Sequence, residues 1–562
     1  MWTFVLLAAA TLGIWRLCAQ EAPTPWWRHA VIYEIYPRSF QDTNGDGVGD
    51  LNGITARLDY LRDLGIDAIW ITPVYPSPQV DFGYDISDYK TIDPQYGTME
   101  DFDRLVREAR KRSIRVIMDF VANHTSDQNP WFISSRSSRD NLKRDWYIWR
   151  DGKAPGQPPN NWLSWFGHSA WTLDPTTNQY YYHYFYVQQP DLNWRNPAVR
   201  EAMYDVLRFW LDRGVAGFRI DAVSRLFEDP ALHDDPILPG TNAYGDPNIE
   251  HKYTDNLPEV HDVLREMRQV VDKYPGNPVL ISEAFEPNVA ELTRMYGQHG
   301  DEVQLPMDFQ VADVDKLSAP EFRKLLDEIE SNPAGGQPYF FFSNHDQVRQ
   351  WDRYGDGVHN DQIAKLMATL LLTARGTPQM YYGEEIGMQT TPPKRKEDVK
   401  DPIGKTGWPQ EKGRDGERTP MQWDGSANAG FTKGTPWLPV PPSAATINVE
   451  AAKADPKSLL AWYKSLIRLK KTNPAFANGA NLMLDTENTK VLSWMRQAPG
   501  AAEAVVAVNF TAEPQTVNLA ASGAGLQAAH LKTLLKTPGG PVPRSLAAIK
   551  LGAYGVYIGE VQ

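Results

Sequence analysis

Gly217-Phe218-Arg219-Ile220-Asp221-Ala222 is the run on which the fold turns. It opens on apolar β-formers and closes on polar groups, as a buried parallel strand does when its C-terminal end opens into a site. Arg219 and Asp221 stand two residues apart, so both side chains face the same side of that strand. Three other segments have the same shape: Asp119-Phe120-Val121-Ala122-Asn123-His124, Ile281-Ser282-Glu283-Ala284 and Phe342-Ser343-Asn344-His345-Asp346. Read together they place Asp221, Glu283 and Asp346 at the ends of three strand-like runs, a floor of acids.

Outward from these runs the chain alternates. Strand-like Val31–Tyr36 precedes a stretch in which Leu51, Ile54, Leu58, Leu61 and Leu64 recur at helical spacing, and Ala68–Thr72 is strand-like again. The alternation continues through Arg115–Met118, the runs above, Val303–Met307 and Gln379–Tyr382, which predicts a (β/α)8 barrel over 25–475 with helices outside. Between His124 and about Asn196 the pattern breaks into a Trp- and Tyr-rich stretch, too long for an ordinary connection, and reads as a subdomain (124–196) inserted after the third strand. A second irregular stretch, 390–442, is rich in Pro, Gly and charge and reads as a rim loop after the eighth strand. Helix-like Leu459–Leu469 closes the barrel, and β-rich Ala504–Phe510 marks a C-terminal antiparallel β domain, a sandwich over 478–562.

A length of 562 residues and 42% hydrophobic content supply a sizeable core, and 19 Trp supply flat faces suited to sugar rings. The net charge of −13 argues against nucleic acid or an anionic membrane as partner, since both demand clustered positive charge. The apolar run Phe4–Trp15 is shorter than the roughly 20 residues that span a bilayer and reads as an export signal over 1–20, atypical in lacking Lys or Arg before it. An exported, secreted or periplasmic protein follows. The single cysteine, Cys18, lies in that segment, so a cleaved chain would form no disulfide.

The four segments, in this order and spacing, resemble the four shared motifs of the α-amylase family of glycoside hydrolases. Gln189-Pro190-Asp191-Leu192-Asn193 adds a fifth, similar to that of the oligo-1,6-glucosidase and α-glucosidase branch. Paired carboxylates suit that chemistry, because a glycosidic bond breaks through an oxocarbenium-like state that calls for one ionised and one protonated carboxyl. The resemblance implies that Asp221 is the nucleophile, Glu283 the general acid and then base, and Asp346 a group that grips sugar hydroxyls, with the anomeric configuration retained. Arg219 would keep the nucleophile ionised. It further implies that His124 and His345 bind glucose hydroxyls, that Tyr84 stacks on the ring, and that Phe166, Phe185 and Gln189 line the same pocket. Asp81 would pair bidentately with an arginine of the Arg414–Pro420 segment, Arg418 ahead of Arg414, sealing the pocket behind one glucose and making the action exo.

Asp42-Thr43-Asn44-Gly45-Asp46-Gly47-Val48-Gly49-Asp50 places oxygen donors at alternate positions around glycines, as in a calcium loop of the EF-hand type. Its twelfth position is Gly53 rather than Glu, which leaves Asp42, Asn44, Asp46, the Val48 carbonyl and Asp50 as ligands. Related α-glucosidases bind Ca²⁺ here, which implies a structural ion and no organic cofactor. Ala222 follows the nucleophile where enzymes that prefer α-1,6 bonds carry valine, so a small-molecule α-1,4-glucoside of maltose type is the expected substrate. Sucrose hydrolysis, isomerisation and glucosyl transfer share the first half-reaction. The reading from another class, a non-catalytic glucosidase-like ectodomain of a transporter heavy chain, fits less well because all three acids are present.

Overall fold

The computed structural model describes residues 24–331, 336–522, 530–538 and 541–562. The proposed export signal and Cys18 lie outside the described residues. No helix among those described is long and apolar enough to cross a membrane.

Eight parallel strands form the barrel: β1 (Ile32–Ile35), β2 (Ala68–Ile71), β3 (Arg115–Val121), β4 (Gly217–Asp221), β5 (Val279–Ser282), β6 (Leu305–Pro306), β7 (Tyr339–Phe340) and β8 (Thr377–Tyr381). They neighbour one another in the order β6-β5-β4-β3-β2-β1-β8-β7, and a parallel bridge from Met307 to Tyr339 closes the circle. β6 and β7 are short, and β6 ends on Pro306, which has no N–H to give a ladder. Asp346 is consequently not at a strand end: it lies on the loop beyond β7, where the Asn344 side chain accepts from its backbone N–H at 2.9 Å.

The strand period of two separates two cores. Ile32, Ala68, Trp70, Ile117, Val279, Ile281 and Leu305 fill the barrel interior, while Tyr33, Ile69, Met118, Phe120, Phe218 and Leu280 pack outward against the helices. Following the inward positions up each strand changes their chemistry. Ile32 leads to Glu34, Ile117 to Asp119, Gly217 to Arg219 and Asp221, and Ile281 to Glu283, so apolar layers below carry a charged layer on top. The predicted helix appears as α1 (Leu51–Leu64), with Asp50 accepting from Gly53 N–H at 2.7 Å at its start and Gly65 at φ 101° ending it. Leu51, Ile54, Leu58, Leu61 and Leu64 are its buried face.

The stretch after β3 folds around a three-stranded antiparallel sheet, Trp149–Arg150, Gln179–Tyr182 and Trp171–Asp174, whose Trp162, Trp171, Tyr182 and Tyr184 make an aromatic core of their own. It returns to the barrel through bridges from His124 to Asp191 and from Tyr147 to Leu192. Beyond α2 (Leu459–Thr472) the chain forms a five-stranded antiparallel sheet and a two-stranded ladder, Gln515–Val517 with Ile549–Leu551, packed over Leu484, Val505, Ala507, Val517 and Tyr557.

Candidate active site

The charged layer meets at one side chain. Arg219 is fully buried, its guanidinium lies 5.1 Å from the Trp70 ring centroid, and three carboxylates surround it. Nη1 donates to Asp221 Oδ1 at 2.5 Å and to Asp119 Oδ1 at 3.0 Å, and Nη2 pairs with Glu283 Oε1 at 2.5 Å. The ladder explains the meeting: in register, Arg219 faces Asp119 on β3 and Ile281 on β5, and the chain two residues past Ile281 is Glu283. Glu283 Oε2 also accepts the Ala222 N–H at 2.9 Å.

One guanidinium cannot neutralise three buried carboxylates. Burial raises all three against the pull of Arg219, and mutual repulsion adds to it: Asp119 rises to about 6 and Asp221 and Glu283 to about 7. Both carboxyls are thus held above their ordinary range, and ionising one of the two makes the other harder to ionise. Asp346 goes the other way. Burial opposes its ionisation, but the guanidinium groups of Arg414 and Arg418, both bonded to Oδ1, outweigh that and hold it far below the usual carboxylate range.

These groups face a cavity of about 630 Å³ at the C-terminal end of the barrel, lined among others by Asp81, Tyr84, His124, Phe166, Phe185, Gln189, Asp221, Glu283 and Asp346. Arg219, His345 and Arg418 lie beneath this lining and reach the cavity through partners. Tyr84 stacks on the His345 ring with centroids 5.3 Å apart, and its hydroxyl meets His345 Nε2 at 2.7 Å and Asp119 Oδ2 at 3.0 Å. Burial lowers His124 to about 4 and His345 well below its usual value, so both rings are neutral. Gln189 Nε2 lies 3.1 Å from His124 Nε2 and donates to Asp81 Oδ2 at 3.3 Å. Phe185 sets an edge against His124, with centroids 5.2 Å apart.

The arginine that meets Asp81 is Arg414, which corrects the choice of Arg418. Arg414 Nη2 donates to Asp81 Oδ1 at 2.7 Å, a single bond rather than the bidentate pair expected. Its Nη1 reaches Asp346 Oδ1 at 2.9 Å and its Nε reaches Asp401 Oδ2 at 2.8 Å. Arg418 is turned under the floor instead, where Nε donates to the His345 carbonyl at 2.8 Å and Nη2 to Asp346 Oδ1 at 2.7 Å. The segment between them is a series of turns and not a helix, so a four-residue spacing does not put the two guanidinium groups on one face. Asp401, fully buried, is the anchor that aims Arg414.

Sequence reading missed several residues here. Glu34, bound to His345 Nδ1 at 2.6 Å, and Asp119 were legible as inward positions of β1 and β3, two residues above Ile32 and Ile117. Trp165, Arg225, Tyr244, Phe285 and Phe309 line the cavity from separate loops and elements, and no spacing in the chain announces them.

The Asp42–Asp50 loop lies apart from the cavity. Asp42 Oδ1 accepts from Asn44 and Gly45 N–H at 2.9 and 2.7 Å, Asp46 Oδ1 from Val48 N–H at 2.8 Å, and Asp50 Oδ2 from Thr43 N–H at 2.8 Å. Asp42 and Asp50 are buried, whereas Asn44 and Asp46 are exposed. Among the described residues no group of three or more His, Cys, Asp or Glu side chains stands close enough together to hold a metal ion.

Comparison with known proteins accords with this geometry. The family model described as the alpha amylase catalytic domain matches residues 34–479. The chain belongs to the α-amylase family of glycoside hydrolases. Within the family it is 45% identical to a probable alpha-glucosidase of Rhizobium meliloti, covering 85% of this chain and 88% of that protein. It is 41% identical to an oligo-1,6-glucosidase of Parageobacillus thermoglucosidasius, covering 86% and 90%. Among solved structures it resembles the trehalulose synthase MutB of Pseudomonas mesoacidophila, with a TM-score of 0.87, 40% identity and coverage of 96% of this chain and 100% of that one.

Proposed function

We propose that the protein is a retaining, exo-acting α-glucosidase that releases glucose from the non-reducing end of α-glucosides, α-1,4 bonds ahead of α-1,6. The observation that carries the reading is the sharing of one guanidinium, Arg219, by Asp221 and Glu283 on one cavity floor. In this reading ionised Asp221 attacks C1 while the Glu283 carboxyl proton passes to the glycosidic oxygen. A covalent glucosyl ester forms and the aglycone leaves. Glu283, now ionised, takes a proton from water, whose oxygen attacks C1 and frees Asp221. Asp346 and His124 would take hydroxyls of the reacting glucose, His345 would act from beneath through the Tyr84 hydroxyl, and the Asp81–Arg414 pair would bar a second sugar behind it. Glucose as the first product of a long maltodextrin supports this; internal cleavage to mixed lengths would overturn it.

Ala222 supports the linkage preference. It lines the cavity beside Asp221 at φ 45°, in the left-handed region. A β-branched side chain there is strained as well as larger, so a methyl leaves the most room for an α-1,4-linked neighbour. The test is kcat/KM for maltose against isomaltose.

A second reading, isomerisation of sucrose, has the likeness to trehalulose synthase in its favour. It shares the first half-reaction and differs in returning the glucosyl group to fructose. Free glucose and fructose from sucrose, rather than an isomer, decide for hydrolysis.

We also propose Ca²⁺ at the Asp42–Asp50 loop. The donor set fits a hard cation: all oxygen, with three carboxylates and no Lys or Arg ion pair to any of them among the described residues. Asp42, Asn44, Asp46, the Val48 carbonyl and Asp50 would hold it, and it would offset their repulsion.

A further inference from the structure

A second cavity, of about 200 Å³, lies behind the wall that carries Glu283. Its lining comes from the segment that leads into the helix Val260–Val271 and from the chain that runs from Glu283 into the short helix Val289–Arg294, and it shares no residue with the lining of the catalytic cavity. Consecutive residues face the two spaces. Phe285 lines the catalytic cavity and Glu286 the second one. On the other segment Asp255 pairs with Arg225 of the catalytic cavity, while Asn256 lines the second.

Glu286 is only 7% exposed, and its Oε1 is buried with no hydrogen-bond partner; the same holds for Asn256 Oδ1. Both atoms are acceptors. Burial and the charge of Glu291 raise the Glu286 carboxyl to about 7 in spite of His261, Arg225 and Arg294. The donors nearby are engaged elsewhere: Arg294 Nη1 donates to Glu291 Oε2 at 2.6 Å, His261 Nδ1 meets Glu302 Oε2 at 2.6 Å, and Gln310 Nε2 donates to the Glu286 backbone carbonyl at 2.5 Å rather than to its carboxylate. A native fold seldom leaves a buried carboxylate without a donor, so the donor belongs to whatever fills the cavity.

The lining narrows the chemistry of that occupant. An anion is repelled by Glu286, and an organic ammonium is opposed by Arg294. A metal ion lacks ligands, since among the described residues no three His, Cys, Asp or Glu side chains gather closely enough to hold one. An apolar molecule would leave Glu286 and Asn256 unpaired. A hydroxyl both donates and accepts, so a molecule with several of them can give to Glu286 and Asn256 Oδ1, take from Arg294, and rest its carbons on Pro258, Val260 and Met295. The volume is the share of about six water molecules, room for one small ring and not for a chain. We infer that this cavity is a second, non-catalytic site for one neutral polyhydroxylated molecule of monosaccharide size, held by Glu286 and Asn256. The inference goes beyond the α-glucosidase reading and stands without it; under that reading the released glucose is such a molecule.

The full chain carrying ¹³C-methyl methionine tests the inference, because Met295 lines this cavity and no methionine lines the catalytic one. The Met295 methyl signal, assigned through Met295→Leu, should move on titration with D-glucose and saturate in the millimolar range. In Glu286→Ala the midpoint should rise about tenfold, the worth of a hydrogen bond to a charged acceptor. In Arg294→Ala, a change at an exposed position, it should rise about threefold. In Asp81→Ala, which strikes the catalytic cavity alone, the response should persist. A Met295 signal that D-glucose leaves still, whether or not magnesium chloride moves it, overturns the inference. So does a midpoint unchanged in both Glu286→Ala and Arg294→Ala, or a response lost in Asp81→Ala. None of these outcomes touches the α-glucosidase reading, which is decided by the products of a maltodextrin digest.

Discussion

The floor of the cavity and its walls are built in different ways. Asp119, Arg219, Asp221 and Glu283 sit on or just past three neighbouring strands, and ladder register fixes which of them touch. Asp81, Phe166, Asp346, Arg414 and Phe285 come from loops, where nothing periodic sets direction. A floor on strands leaves catalytic groups little freedom, whereas walls on loops allow substrate preference to change without moving the acids.

The sharpest way to break this contrast is to strike each part and compare losses. Asp221→Asn keeps the shape and removes the proposed nucleophile, and should lower kcat with p-nitrophenyl α-glucoside about 10⁴-fold or more. A residual rate within tenfold would move the nucleophile elsewhere. In the wall, Arg414→Ala leaves Asp81 and Asp401 buried without their partner and should lower kcat/KM about 10²-fold, mostly through KM. An effect on kcat alone would transfer Arg414 to the floor. Ala222→Val, at the boundary, should shift the maltose-to-isomaltose ratio about tenfold toward isomaltose, and an unchanged ratio would remove Ala222 from linkage choice.

Titration sharpens the floor further. Glu283 is raised to about 7, chiefly by burial, so its carboxyl carries a proton below that pH and loses it above. A proton donor is what bond cleavage needs, so kcat/KM should fall as pH rises through about 7, and Glu283→Gln should abolish that limb. An alkaline limb that survives in the variant would assign it to another group. The smallest effect belongs to the loop at Asp42–Asp50: chelation should lower Tm by a few degrees with little change in KM, and added Ca²⁺ should restore it. A Tm indifferent to both would leave the loop a plain turn.

Legibility followed the same division. The barrel, α1 and the inward acids could be read because period two and period 3.6 are written in the order of residues. Expected strand Val303–Met307 shrank to Leu305–Pro306, since hydrophobicity marks burial but not ladder pairing. Choosing between Arg414 and Arg418 needed coordinates: both are basic and buried, and only Asp401 and the His345 carbonyl decide which way each points.

Composition and motif order by themselves determined the family and the barrel, because strand alternation carries side-chain direction along with it. Tertiary structure alone decided that Arg219 serves three carboxylates, that Arg414 rather than Arg418 meets Asp81, and that Trp165 and Phe285 both line the cavity. Such contacts join segments remote in the chain, and their partners are set by packing, on which local order is silent.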